Sequence, residues 1–360
     1  MKKEDFIYND TFKAPLSGSF NWESPSNIAL VKYWGKSDIQ IPKNSSISFT
    51  LNKCLTNTKL DFCKKKNNSE FIDFNIYYKD KLNEDFKPKI QSFFDRIINF
   101  CPYILSYKFK IYTSNTFPHS SGIASSASGI SALALCIMSL EKLINPNIND
   151  EYFFMKASFL ARLGSGSACR SLRGSVNLWG SHPSFKTSSN LYSIDFTHEV
   201  DDVFKTYQDA VLLIDKGIKT VSSSAGHKLM NNHPFADKRF KIAQINTEKL
   251  SAILKNGDTN KFVKLVEDEA LMLHGLMMTS DPSYILIKSK TLKIIESIRE
   301  FRLKNNIPVC FTLDAGANVH LLFPNKFSYE VYDFIERNLK IYCENNSYIR
   351  DCVGFGAKQL

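Results

Sequence analysis

No segment of this sequence reaches the roughly 18 uncharged, uniformly apolar residues that a membrane span needs, which speaks against a transmembrane chain. The stretch Asn115–Leu140 lacks Lys, Arg, Asp and Glu, but it is rich in serine. Residues 1–17 are polar, carry Glu4, Asp5 and Asp10, and lack the apolar core and small-residue cleavage site of a secretory signal. None of the eight cysteines forms a Cys-x-x-Cys pair, and no Cys/His group has zinc spacing. The expectation is a reduced, cytoplasmic chain with free thiols. Internal repeats and low-complexity linkers are absent. So are Gly-x-x-x-x-Gly-Lys-Ser/Thr and Gly-x-Gly-x-x-Gly, so the two nucleotide folds that carry them are not indicated.

What is present is ample apolar material. Of 360 residues, 43% are hydrophobic and 13% aromatic, enough for one large domain or two fused lobes. The formal net charge of +10 raises three classes of partner: nucleic acid, membrane surface and anionic small molecules. The densest run, Lys64-Lys65-Lys66 before Asn67-Asn68, reads as a solvated loop between strands. Charge is otherwise spread along the chain, with no nucleic-acid-binding motif. Neither a nucleic acid nor a membrane partner is expected.

Residues 18–115 alternate mostly as strands, interrupted by a helix around Phe86–Cys101 whose apolar positions Ile90, Phe93, Phe94, Ile97 and Ile98 recur at the helical period. A run of small polar residues, 117–129, opens into a long apolar helix to about Leu143, and a second helix spans about Asp150–Leu163. Residues 209–216 predict a buried strand, helices dominate 235–304, and Val309–Leu313 with Asn318–Phe323 predict a hairpin. The mixed order of strands and helices favours an α+β class with layered sheets. The polar, turn-rich stretch 185–205 is the place for a lobe boundary.

Four segments can carry chemistry. In 120–129, small side chains let an anion approach the backbone ahead of a helix N-terminus, and Ser125 and Ser126 add hydroxyls, which suits a triphosphate; small residues also permit close helix packing. In Gly164-Ser165-Gly166-Ser167-Ala168-Cys169-Arg170-Ser171, serines and glycines surround one arginine, whose planar fork matches a carboxylate or phosphate. In Asn27-Ile28-Ala29-Leu30-Val31-Lys32-Tyr33-Trp34-Gly35-Lys36, two lysines four apart flank two large aromatics, a pattern a solvated strand edge also shows. In Leu313-Asp314-Ala315-Gly316-Ala317-Asn318, an aspartate closes a strand before a glycine turn, where it can be a simple turn former.

Taken together and in order, the four segments resemble the mevalonate diphosphate decarboxylases of the GHMP small-molecule kinase superfamily over about Phe20–Phe323, and residues 164–171 match that family's run without a substitution. A weaker likeness lies at Val221-Ser222-Ser223. The chain departs from the family pattern at Thr116, at His119-Ser120-Ser121, at Leu313 and Ala317, and after Ser224 from Ala225-Gly226-His227-Lys228 through Asn232-His233-Pro234, where a Gly-Met and Thr-Ser pattern is usual. It also has its own ending, Gly354-Phe355-Gly356-Ala357-Lys358.

The resemblance implies a two-lobed GHMP-kinase-like α+β fold of layered mixed sheets and helices. Its active site would lie in the cleft between an N-terminal ATP-binding lobe, 18–190, and a C-terminal lobe, 205–360, with 1–17 as an extension. It implies ATP-dependent decarboxylation of mevalonate 5-diphosphate to isopentenyl diphosphate by transient phosphorylation of the C3 hydroxyl. The neighbouring alternatives are a mevalonate 5-phosphate decarboxylase or a related small-molecule kinase. Carried over residue by residue, Asp314, Lys32 and Arg170 are the catalytic set. Tyr33, Lys36, Ser165, Ser167 and Ser223 meet the substrate, and Asn115, Gly122, Ser125 and Ser126 meet ATP and Mg2+. No protein metal cage is expected, because a Mg2+ ion is held largely by phosphates. The resemblance also implies a homodimer. His274, on a Leu- and Met-rich helical stretch, reads as a satisfied core or interface residue.

Overall fold

The computed structural model describes residues 1–9, 15–66, 70–118, 123–215 and 223–360; of Ser223 and Ser224 it describes the backbone. The strand Ser46–Lys64 organises it. From Cys54 onward its side chains alternate between core and surface, whereas its first six residues are buried throughout, as in a strand covered on both faces. The alternating half pairs with Tyr107–Asn115, the buried half with Val176–Trp179, and the opposite edge with Ser17–Ala29. The pairing with Ser17–Ala29 shifts register between Pro25 and Asn27, where proline has no N–H to give the ladder. Asp73–Tyr78, Lys81–Leu82, Ser193–Asp195 and Lys358–Gln359 complete an eight-stranded sheet. Among the described residues its one parallel pair, Asp73–Tyr78 with Tyr107–Asn115, is joined by the crossover helix Lys87–Ile97.

Helices Ser125–Ile144 and Asp150–Gly164 cover this sheet over a core that includes Phe93, Phe94, Phe109, Leu133 and Phe159. By length and composition Ser125–Ile144 could cross a membrane, yet 78% of its most apolar window is buried inside the fold. Its serines are matched to the neighbouring strand: Trp22 Nε1 donates to Ser139 Oγ at 2.8 Å, and the hydroxyls of Ser24 and Ser131 lie 2.6 Å apart. That pairing suits a core helix against a polar-edged strand.

The second sheet runs Cys310–Thr312, Val319–Phe323, Gln208–Leu212, Tyr348–Cys352, all antiparallel. Helices Thr259–Met278 and Ser289–Asn305 pack against it, and Ala236–Lys255 packs on Thr259–Met278 and on the strand Ser46–Lys64. A shared apolar cluster joins the two sheets, with Ile28, Ile47 and Phe49 meeting Tyr207, Leu254 and Phe262. Phe49 and Phe262 stack at 6.0 Å. The buried Asp351 carboxylate accepts the backbone N–H groups of Asn52, Lys53 and Cys54 at 2.8–2.9 Å. The C-terminal residues Lys358 and Gln359 return to pair with Glu23 and Trp22.

Element boundaries differ from the periodicity in understandable ways. The helix expected over 86–101 is α-helical only over Lys87–Ile97, because Pro102 restricts Cys101 and the following residues take a 3-10 turn. The strand expected over 209–216 spans Gln208–Leu212, since the Asn318 side chain takes the N–H groups of Ile214 and Asp215 at 2.7 and 2.9 Å. The stretch 185–205 carries a short strand, Ser193–Asp195, and a helical turn, Asp202–Lys205.

Candidate active site

Between the two sheets lies a cavity of about 590 Å3. Lys32, Tyr33, Lys36, Asn115, Ser125, Ser126, Ser165, Ser167, Arg170 and Asp314 all line it. Gly122 and the side chain of Ser223 lie outside the described residues, as do His119, Val221 and Ser222.

Lys32 follows the strand Ser17–Ala29 and is 2% exposed. Its Nζ donates to Asp314 Oδ1 at 3.0 Å, across a sequence separation of 282 residues. The backbone around it is pinned from both sides. Its N–H donates to Glu269 Oε2 at 2.9 Å, and its carbonyl accepts from Asn44 Nδ2 at 3.1 Å. Burial pulls the ammonium below the ordinary lysine range, against the opposing pull of Asp314 and then Glu269, and Arg170 adds to the lowering. Glu269 is itself fully buried, and it accepts from Arg239 Nη2 at 2.5 Å and Asn246 Nδ2 at 2.6 Å.

Asp314 follows the strand Cys310–Thr312, and its carbonyl takes the Gly316 N–H at 2.7 Å to make the turn. The same carbonyl lies 3.1 Å from His274 Nε2. A carbonyl only accepts, so that nitrogen carries the proton. Burial pushes His274 down to about 4, which keeps the ring neutral. His274 is therefore buried and satisfied as expected, and the atom that satisfies it is the backbone of Asp314.

Arg170 ends the 3-10 turn Gly166–Arg170 and is 3% exposed. Nη1 donates to Ser46 Oγ at 2.6 Å, the guanidinium lies 5.7 Å over the Trp179 ring, and Nε is buried without a partner among the described residues. Gly166 is required where it stands, because a Cβ there would come within 2.8 Å of Tyr33 Oη. Tyr33 sits edge-on to Trp179 at 4.7 Å, and its hydroxyl is also buried without a partner.

On the opposite wall, Ala124 adopts a left-handed φ of 43° and turns the chain into the helix beginning at Ser125. The first turn of that helix presents N–H groups and a positive dipole end. Ser125 Oγ is buried without a partner among the described residues, and Ser126 Oγ accepts from Lys89. Asn115 Oδ1 accepts from Thr56 Oγ1 at 2.9 Å. Among the described residues no group of three His, Cys, Asp or Glu is placed to hold a metal ion.

An unpaired buried polar atom costs about 1–3 kcal/mol. Such atoms on Tyr33, Ser125 and Arg170 around one cavity fit a polyanionic ligand that would pair them. Sequence reasoning had no signal for Lys89, which lines the cavity, or for Glu269, which holds the Lys32 backbone, and it noted His227 only within a stretch that departs from the family pattern. Their spacing to the motifs is arbitrary.

Comparison with known proteins agrees with this geometry. Residues 24–190 match the family model described as diphosphomevalonate decarboxylase-like N-terminal domain, and residues 210–354 match mevalonate 5-diphosphate decarboxylase C-terminal domain. The chain is 27% identical over 332 residues to the diphosphomevalonate decarboxylase of Ganoderma lucidum, covering 87% of this chain and 80% of that one. The crystal structure of mevalonate diphosphate decarboxylase from Staphylococcus aureus superposes with a TM-score of 0.81 at 26% identity, over 96% of this chain and 98% of that one. MDDEF in complex with MVAPP, AMPPCP and magnesium superposes with a TM-score of 0.80 at 26% identity, over 95% and 98%. With both halves matched in order and the four motifs gathered around one cavity, the chain belongs to the diphosphomevalonate decarboxylase family.

Proposed function

We propose that this chain catalyses the ATP-dependent decarboxylation of mevalonate 5-diphosphate, giving isopentenyl diphosphate, ADP, phosphate and CO2. One observation carries the reading. The Lys32–Asp314 pair at 3.0 Å shares a single cavity with Arg170, whose Nε has no partner among the described residues, on one side and the Ser125–Ser126 helix start on the other.

Hydroxide is a poor leaving group, so the tertiary C3 oxygen is first phosphorylated. The Asp314 carboxylate orients the C3 hydroxyl toward the γ-phosphoryl of ATP. Because the transition state is loose, Asp314 takes the proton late. Lys32 fixes the carboxylate's direction from its pinned backbone. Departure of phosphate leaves positive charge at C3, which the negative carboxylate favours. Arg170 clamps the substrate carboxylate, setting the plane in which the C–C bond breaks. The electrons of that bond become the new double bond as CO2 leaves. Ser165 and Ser167 donate to the substrate, and Tyr33 and Lys36 meet its diphosphate. Asn115, Ser125, Ser126 and Lys89 meet the triphosphate. A bound Mg2+ would neutralise phosphate charge, and the hydroxyls of Ser125 and Ser126 are the residues suited to hold it with the nucleotide. A homodimeric, cytoplasmic enzyme without nucleic-acid or membrane partners is part of the same reading.

The test is an assay of purified protein with ATP and mevalonate 5-diphosphate, 5-phosphate or mevalonate, reading CO2 and ADP together. CO2 and ADP in a one-to-one ratio, with kcat/KM far higher for the diphosphate than for the monophosphate, is the expected result, and Asp314→Asn abolishes both. ADP without CO2 would make the chain a kinase, and CO2 with the monophosphate alone would move its substrate.

A further inference from the structure

Beyond Lys36 the cavity adjoins a second hollow of about 280 Å3, and the two share Lys36 and His227 as a wall. Lys36, Lys43 and Lys228 make this side pocket basic, Asn231 adds an amide, and Asp38 is the one carboxylate among the described residues of its lining. Arg170, Asp314 and the Ser125 helix start account for the carboxylate, hydroxyl and nucleotide ends of the reaction, so the phosphate end of the substrate has this cationic exit left to it.

His227 is held there in one state. The Gly35 N–H donates to its Nδ1 at 2.9 Å. A ring nitrogen that accepts carries no proton, so in the neutral ring the proton sits on Nε2. Nε2 has no hydrogen-bond partner among the described residues, although His227 is 6% exposed. The ring is packed between Tyr33 at 4.4 Å and Trp34 at 4.6 Å, which fixes its direction. Burial, reinforced by Lys36, pushes it down to about 3, so it stays an uncharged donor at working pH. Beside three lysines, a neutral donor adds a hydrogen bond without adding repulsion.

Resting on the decarboxylase reading above, we propose that His227 is a specificity-determining residue. Its Nε2–H donates to the terminal phosphate of the substrate's diphosphate at the mouth of the basic side pocket, and so favours the diphosphate over the monophosphate. The diphosphate gains this hydrogen bond, and the monophosphate, which has no terminal phosphate to reach the donor, does not.

Two substitutions separate this role from a structural one. His227→Asn retains an acceptor for Gly35 and loses the donor at the Nε2 position. His227→Gln retains a donor there and loses the acceptor. The measurements are kcat and KM with ATP and each of mevalonate 5-diphosphate and 5-phosphate, together with the thermal midpoint of each variant. The expected result is that His227→Asn lowers the diphosphate-to-monophosphate ratio of kcat/KM about tenfold, mainly through KM for the diphosphate, and melts near the wild type. His227→Gln keeps the ratio and melts lower. An unchanged ratio in His227→Asn, or equal losses on both substrates, overturns the proposal. Wild-type protein that releases no CO2 from either substrate would instead sink the decarboxylase reading on which it rests.

Discussion

Replacing Glu269 by alanine should cost this protein a large part of its stability, and the magnitude follows from what the carboxylate holds. Its oxygens accept from the Lys32 N–H at 2.9 Å, Arg239 Nη2 at 2.5 Å and Asn246 Nδ2 at 2.6 Å. Glu269 is fully buried and Arg239 is 4% exposed, with Nε and Nη1 already lacking partners. Removing the acid therefore leaves a buried guanidinium without its counter-charge. Breaking one side of a buried pair costs about 3–5 kcal/mol, against a typical total of about 5–15 kcal/mol. Urea denaturation at pH 7.5, followed by tryptophan fluorescence, measures the difference. Replacing both partners with methionine should recover most of the loss, since an apolar pair of similar volume has no charge left to desolvate. The reasoning is refuted if Glu269→Ala loses less than about 1 kcal/mol, or if the double variant is as unstable as the single one.

Arg170→Lys should lower kcat/KM about 10- to 150-fold, the loss of one charge-assisted hydrogen bond of about 1.5–3 kcal/mol; a change within threefold would mean the fork does not clamp the substrate carboxylate. Acid should weaken the fold through His274. Its folded value of about 4 lies below the ordinary histidine value of about 6.5, so below pH 6.5 the unfolded chain gains a proton that the folded chain refuses. Stability is then lost as pH falls from 6.5 toward 4, by about 2 kcal/mol at pH 5 for this one residue. Urea titrations of wild type and His274→Gln at pH 8 and pH 5 should show a pH-dependent loss smaller by that amount in the variant; equal losses would overturn the assignment.

The amino-acid sequence alone determined which chemistry is available and roughly where its pieces begin. Serines at 125 and 126 open a helix, and an arginine at 170 lies within the uninterrupted run 164–171, because these are local requirements written within ten residues. Alternation in residues 54–64 and the helical period in 87–97 are local in the same way. The partners were settled only in three dimensions. Lys32 meets Asp314 from 282 positions away, and its backbone is tied to Glu269 across 237. His274 holds the Asp314 carbonyl, and His227 holds Gly35 while facing the basic pocket. Nothing local marks a buried histidine or glutamate for such a task. Its role depends on which donor or acceptor the packing of two sheets leaves beside it, and a low-dielectric interior then makes that pairing obligatory.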